Sequence, residues 1–423
     1  MKRVGNFRST VQRIFPVFNL FLIIYALLTI TISADGVPFS QDRNPNLRFI
    51  SPKITDTYSY SPEFKTSGMS PQELDSAINS IIQKNYLPGV AVAVIKGDKV
   101  IYSKGYGYAR IETGQKTTDT TSYMLASVSK TFTGMALMQL WEAGAFDLDD
   151  DVNDYLPFSV RNPNYPHLPI TFRMILTHTS SLRDNWDVMY STYHPGDSPI
   201  PLPYYVENYF VAGGEFYNEN KNFYQWSPGV AYTYCNHGLV LAGYLVEAVS
   251  GIDLNQWCRD SIFTPLDMRQ TAWFFSELNS NNIAMPYNLN MYQLESIGHF
   301  GYADWPAGQL RSSALDLAKH LRLFMNYGQV DGVRLLDSTT VAEITTIQYP
   351  NIYTHLGLVW FNFDYWGCST WMHDGGDQGV ATYISFCNEY KTAVVVLTNI
   401  SNHSAVSSIK QLLFQFSEQG IHL

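Results

Sequence analysis

Strand-forming sequence lies near both ends of this 423-residue chain and is sparse between them, so any sheet must join segments that are far apart. Val90 to Ile95 and Val100 to Ser103 are apolar and β-branched, and the turn Lys96-Gly97-Asp98-Lys99 joins them. Further strands are expected near residues 355–363, 368–373, 379–387 and 393–398. From about residue 127 to 290 the pattern is helical and loop-rich, and helices are also expected over Asp316 to Tyr327 and Ser404 to Phe416. An earlier helix should start at Ser70. Ser70 and Glu73 make a capping box, Pro71 takes the first helical position, and Leu74, Ala77, Ile78, Ile81 and Ile82 share a face. These patterns predict an α/β (α+β) fold, an antiparallel sheet flanked by helices with an inserted, mostly helical domain. The sheet part would take residues 70–126 and 300–418, the helical part 127–299, and a site belongs in the cleft between them.

Residues 1–34 stand apart from that domain. Lys2, Arg3, Arg8 and Arg13 precede an apolar run from Ile14 to Ile32, and the small residues Ser33 and Ala34 follow. A basic head, apolar middle and small-residue exit describe a secretory signal peptide. The run also approaches the roughly 20 residues that cross a bilayer, so membrane association through residues 14–32 stays open, as does a mitochondrial presequence. The expected location is secreted or extracytoplasmic, or membrane-anchored. Residues 35–69, rich in Pro, Ser and Tyr, read as a linker or extended arm.

A formal charge of -10 and a pI near 5.4 exclude a nucleic-acid partner, which needs a basic stripe. Cys368 and Cys387 flank a hairpin expected to turn at Asp374-Gly375-Gly376-Asp377. Secretion would favour a disulfide between them, and two buried thiols is the other reading. No Cys/His spacing suits zinc, and the acidic run Asp147 to Asp154 lacks the glycine and distal glutamate of a calcium loop. No metal and no cofactor is therefore expected.

The chemistry begins at Ser127-Val128-Ser129-Lys130, at the start of a helix that stops near Gly144. Positions i and i+3 share a helix face, which brings the Lys130 amine beside the Ser127 hydroxyl. A serine hydroxyl attacks only when a neighbour takes its proton, and a lysine can do so only with a lowered pKa. The spacing alone is weak: Ser407-Ser408-Ile409-Lys410 repeats it, where a solvated surface pair is expected. Tyr234-Cys235-Asn236 opens another helix, apolar from Leu239 to Val249 and ended by Gly251. Tyr234 offers a phenol for proton transfer and Asn236 an amide to orient a substrate carbonyl; a packed phenol and a helix cap are the plainer readings. Third in order comes His373-Asp374-Gly375-Gly376 at a strand end, where small residues let backbone N–H groups approach an oxyanion.

The order Ser-x-x-Lys, Tyr-x-Asn, His-x-Gly resembles the serine β-lactamase and penicillin-binding-protein superfamily. The branch it is most similar to holds class C β-lactamases, D-aminopeptidases, carboxypeptidases, esterases and animal β-lactamase-like proteins. The resemblance covers roughly residues 72–418 and extends to Pro88-Gly89-Val90-Ala91, Lys104-Gly105-Tyr106-Gly107, Ile170 to Leu182, Ala307-Gly308-Gln309-Leu310 and Leu397-Thr398-Asn399. It implies a β-lactamase/transpeptidase-like fold and a serine hydrolase that forms an acyl-enzyme on an amide or ester: a β-lactam, a D-amino peptide or a small ester. Ser127 would be the nucleophile, and Lys130 and Tyr234 would move its proton. Asn236, His373, Gly375 and Gly376 would bind substrate, with the Ser127 and Gly376 N–H groups forming the oxyanion hole. The partner would be a small-molecule or peptide substrate.

Departures from the pattern carry their own expectations. Ser181 replaces the glycine usual after Thr-His-Thr-Ser, and His178 in that stretch is expected to be structural. Asp374 would repel a substrate carboxylate if it faced the cleft. The Tyr- and Phe-rich segment from Arg183 to Trp226 is expected to shape specificity as a loop over the cleft, or else to cover the core. The rival from another class is a catalytically inactive binding or assembly scaffold.

Overall fold

The computed structural model describes residues 69–365 and 367–418; the expected signal or anchor and nearly all of the arm lie outside the described residues. Helix α1 (Pro71–Lys84) opens with the expected capping box. The Ser70 side chain accepts from the Glu73 N–H, and the Glu73 carboxylate accepts from the Ser70 N–H. Strands β1 (Gly89–Lys96), β2 (Lys99–Arg110) and β3 (Gln115–Lys116) follow, then helices α2 (Lys130–Glu142), α3 (Asn236–Ser250) and α4 (Ala314–Met325) among shorter turns. The chain closes with β4 (Phe361–Tyr365), β5 (Cys368–Asp377), β6 (Val380–Cys387), β7 (Thr392–Thr398) and helix α5 (His403–Glu418).

The seven strands form one sheet in the order β4-β5-β6-β7-β1-β2-β3, antiparallel throughout. Early and late segments meet in its middle, where β1 pairs with β7 from Val90↔Thr398 to Lys96↔Thr392. Because side chains alternate across a strand, β1 serves two cores. Val90, Val92 and Val94 pack with Leu74 and Ile78 of α1 and Ile409 and Leu413 of α5. Ala91, Ala93 and Ile95 face Leu317, Leu321 and Phe324 of α4, in the same cluster as Leu137 of α2 and Leu241 of α3. Each fully buried valine contributes about 1.5–3 kcal/mol, so one strand face holds both terminal helices.

The late hairpin turns at Asp377-Gln378-Gly379-Val380, three residues beyond the expected place. Asp374, Gly375 and Gly376 stay in strand because Tyr383, Thr382 and Ala381 of β6 pair with them. Gly379, at φ 65°, takes the left-handed turn position instead. Cys387 therefore faces Thr370. Cys368 lies two residues along the same strand face, and a disulfide joins it to Cys387 across a Cα separation of 6.3 Å.

The second Ser-x-x-Lys also differs from expectation. Lys410 is 7% exposed, so it is a buried residue and not half of a solvated pair. It lies over the Tyr365 and Tyr383 rings, and burial pulls its amine down to about 8. Of the aromatic side chains in the Arg183–Trp226 segment, Tyr205, Tyr209, Phe210 and Phe223 are buried in the main core and cover it, while Trp186 and Tyr204 are exposed. The acidic run is a turn held by cations: Asp149 pairs with Arg173 and Asp151 with Arg161.

Candidate active site

Ser127 sits in a 3-10 turn, Ala126–Ser129, that runs directly into α2. Ala126 adopts φ 49°, a left-handed conformation that an alanine takes only when its surroundings demand it. Leu125 supplies that demand. Its N–H donates to Leu310 O at 2.8 Å, and its carbonyl accepts from Thr382 Oγ1 at 2.7 Å. Lys130, one turn on, is fully buried. Its Nζ donates to Ser127 Oγ at 2.8 Å and to Ala307 O at 2.6 Å. Burial lowers its pKa to about 7, against the opposing pull of Asp184, Asp304, Cys235 and Asp374. Half of the amine is then neutral at neutral pH and able to take a proton.

Tyr234 precedes α3, and the Lys130 Nζ lies 5.1 Å from its ring centroid. Its hydroxyl is shielded from solvent. Burial pushes the phenol well above its ordinary value, and Ser127 is the group that pulls it back. The two hydroxyls are neighbours without the alignment of a formed hydrogen bond. The His178 ring stands 4.4 Å from that of Tyr234. Its Nδ1 accepts from the Cys235 N–H at 3.2 Å, which fixes the turn carrying Tyr234. His178 thus has the expected structural role, but at the wall of the site. His373 Nδ1 lies 2.7 Å from Asp374 O, and its ring is buried. Burial and then Lys130 depress His178 to about 3 and His373 to about 4, so both imidazoles are neutral at pH 7. The Tyr234 hydroxyl, His178 Nε2 and His373 Nε2 all lack a formed hydrogen bond among the described residues.

Asn236 begins α3, but its amide is engaged. Nδ2 donates to Asp184 Oδ2 at 2.8 Å, and the Asn236 backbone N–H donates to the same oxygen at 3.0 Å. Asp184 Oδ1 accepts the His237 N–H at 3.1 Å and lies 2.8 Å from His237 Nδ1. With its side chain only 7% exposed, Asp184 is nonetheless held down at about 2, because these donors outweigh desolvation.

Gly375 faces the turn that carries Ser127. A Cβ there would stand 2.2 Å from Leu125 O, 2.4 Å from Thr382 Oγ1 and 3.1 Å from the Ser127 backbone nitrogen. Only a residue without a side chain lets β5 approach the 125–127 turn this closely. A Cβ on Gly376 would project to the other face, 2.6 Å from His403 Nε2, while its N–H lies along the sheet. By the same alternation Asp374 shares its face with Met372 and Tyr383, while its charge still bears on Lys130 and Tyr234. Ser181 adopts φ 60°, the conformation glycine takes freely, and its Oγ accepts from Asn162 Nδ2 at 2.9 Å. The missing glycine therefore leaves a left-handed residue in its place.

The structure brings Ser127, Lys130, Tyr234, His373 and Gly375 together from three separate stretches, the 126–142 turn and helix, the turn before α3, and β5. Sequence reasoning missed Asp184 and the Ala307 carbonyl. A lone aspartate in a loop has no periodic signature, and a backbone oxygen has no sequence signature. The weak signal for Asp184 was its place two residues after the Ile170–Leu182 stretch. Among the described residues no group of three or more His, Cys, Asp or Glu side chains is arranged to hold a metal ion.

The Beta-lactamase family model matches residues 74–412. Protein flp of Staphylococcus aureus is 24% identical over 363 residues, spanning 83% of this chain and 70% of that protein. Penicillin-binding protein 4 of Amycolatopsis lactamdurans is 25% identical over 338 residues, 75% of this chain and 82% of the other. An octameric penicillin-binding protein homologue from Pyrococcus abyssi superposes with a TM-score of 0.66 at 25% identity, covering 84% of this chain and 79% of that one. The sheet, its flanking helices and the intervening helical part are thus a β-lactamase/transpeptidase arrangement.

Proposed function

Since this chain belongs to the Beta-lactamase family, we propose that it is a serine hydrolase that cleaves an ester or amide through an acyl-enzyme on Ser127. The observation that carries the reading is the 2.8 Å contact from a fully buried Lys130 Nζ to Ser127 Oγ. In its neutral form Lys130 takes the hydroxyl proton as Ser127 attacks. Tyr234, whose phenol keeps its proton at every working pH, passes a proton to the leaving group and is reprotonated from Lys130. The Ser127 and Gly376 N–H groups receive the developing oxyanion, where one donor is worth about 3–4 kcal/mol. Water then repeats the cycle in reverse to release the acyl group.

The electrostatics favour acyl groups without a carboxylate beside the scissile bond. His373 is neutral at pH 7, so it supplies no positive charge to hold a substrate carboxylate. Asp374 adds a negative charge felt by Lys130 and Tyr234. Simple esters and amides of neutral or amine-bearing acids therefore rank ahead of β-lactams. The apolar run over residues 14–32 supports export or membrane anchoring of the chain.

Fluorophosphonate and fluorescent penicillin labelling of the wild type and of Ser127→Ala tests this reading. The wild type should label with fluorophosphonate, label weakly or not at all with penicillin, and lose both signals in Ser127→Ala. Absence of any Ser127-dependent adduct under either probe would leave the inactive-scaffold reading in its place.

A further inference from the structure

We propose that Asp184 is a positioning residue for the Ser127 chemistry, fixing the Tyr234–Asn236 turn and supplying the buried counter-charge to Lys130. The inference rests on the serine-hydrolase reading above.

Three consecutive residues converge on this one carboxylate. Cys235 Sγ approaches Oδ1 at 3.4 Å, the Asn236 N–H and side chain both donate to Oδ2, and the His237 N–H and ring meet Oδ1. These groups open a 15-residue helix, where unpaired N–H groups and the helix dipole favour a negative charge. Tyr234 lies immediately before them, so the turn that carries the phenol is pinned from one side by Asp184 and from the other by His178. The His237 ring extends the link outward. Tyr209 stacks on it at a centroid distance of 3.6 Å, and Tyr205 Oη lies 2.9 Å from its Nε2. Asp184, Tyr205 and Tyr209 all belong to the Arg183–Trp226 segment, which is therefore fastened to the site as well as to the core.

The second role is electrostatic. The acids facing Lys130 are Asp184 from this segment, Asp304 before the Ala307 carbonyl, and Asp374 and Asp377 on β5, with the Cys235 thiol beside them. Also near it are the neutral imidazoles of His178 and His373 and the Tyr234 phenol. Burial raises Asp304 and Asp377 to about 6, so they gain protons in mild acid. Asp184, at about 2, keeps its charge throughout. It is also the largest contributor favouring the Lys130 cation. Removing its charge lets Lys130 give up its proton at lower pH, while removing its acceptors loosens Asn236 and the tyrosine turn. The two effects have opposite consequences in acid. A residue that merely braces the fold produces only the second.

The test is the rate of fluorophosphonate labelling of Ser127 in the full chain from pH 5 to 9, with melting temperature read in parallel. Asp184→Asn should lower the plateau and move the acid limb down by about one pH unit. Asp184→Glu, which keeps the charge but displaces it, should lower the plateau and leave the limb at its wild-type position. Should Asp184→Asn fail to fold, Asp184→Ser provides a neutral helix cap for the same comparison. A limb that stays at its wild-type pH in a folded neutral variant overturns the proposal and leaves the hydrolase reading intact. A wild type without Ser127-dependent labelling refutes the hydrolase reading itself.

Discussion

If Lys130 is the base that activates Ser127, acylation must follow the fraction of Lys130 that is neutral. An ordinary lysine, near 10.4, would be about 0.4% neutral at pH 8, and its rate would climb tenfold per unit through pH 9. Burial brings Lys130 to about 7. Its neutral fraction is then about 9% at pH 6, 50% at pH 7 and 91% at pH 8, so labelling should rise roughly tenfold between pH 6 and 8 and then level off. The limb should also be shallower than a single ionisation. Asp304 and Asp377 take up protons near pH 6, and losing their charges eases Lys130 deprotonation over the same interval. His373 and His178, at about 4 and about 3, titrate below the window and do not shape it. The assay is the second-order rate of fluorophosphonate labelling in buffers of constant ionic strength, with the intact fold checked at each pH. A rate still rising tenfold per unit above pH 8, or one flat from pH 5.5 to 8, would refute the assignment of Lys130 as the base. Lys130→Arg, which cannot deprotonate, should give no labelling at any pH in this range.

Lys410→Met should leave labelling unchanged and stabilise the chain by about 3 kcal/mol in urea unfolding at pH 7. Its folded-state value of about 8 lies below that of the unfolded chain, so the penalty develops as pH falls from about 10.5 to 8 and is full below that; a destabilised variant would contradict this. Gly375→Ala should cut labelling by about 100-fold and cost about 1–3 kcal/mol, because its methyl would drive Leu125 and the Ser127 N–H apart; near-normal labelling would show that the 125–127 turn is not held as described. Replacing Cys368 and Cys387 by alanine should cost about 3 kcal/mol, the loop entropy of a bridge spanning 19 residues, and reductant should lower the wild-type melting temperature while leaving the double variant unaffected.

How far the sequence could be read depended on the range of the interactions involved. The capping box at Ser70 and Glu73 and the Gly251 end of α3 are local, and both occur as the residues suggest. The β5–β6 turn was misplaced because Asp-Gly-Gly-Asp is a strong local turn signal. Those glycines instead meet a tertiary demand, the approach of Leu125 and Ser127. Lys410 is a different case, since its burial was visible. Val406, Ile409, Leu413 and Phe414 follow helical spacing, and Lys410 falls inside that apolar stripe. Asp184 had no such cue, because its donors lie some fifty residues away at the start of α3 and only folding brings them to it.

The same dependence on distant segments explains how the strained turn at Ala126 persists. A left-handed alanine at residue 126 costs about 1–2 kcal/mol, more than a two-residue turn could hold by itself. The chain restrains it from three directions. Leu310 accepts from the Leu125 N–H while its own N–H donates to Ser129 Oγ at 3.1 Å, and Thr382 donates to the Leu125 carbonyl. Leu310 follows the Ala307 carbonyl that receives Lys130, and Thr382 faces Gly375 across the β5–β6 ladder. The bonds that hold the strain are therefore carried by the same segments that hold Lys130 and Gly375. Relaxing Ala126 would require all three bonds to give way together, so the Ser127 hydroxyl stays beside the Lys130 amine.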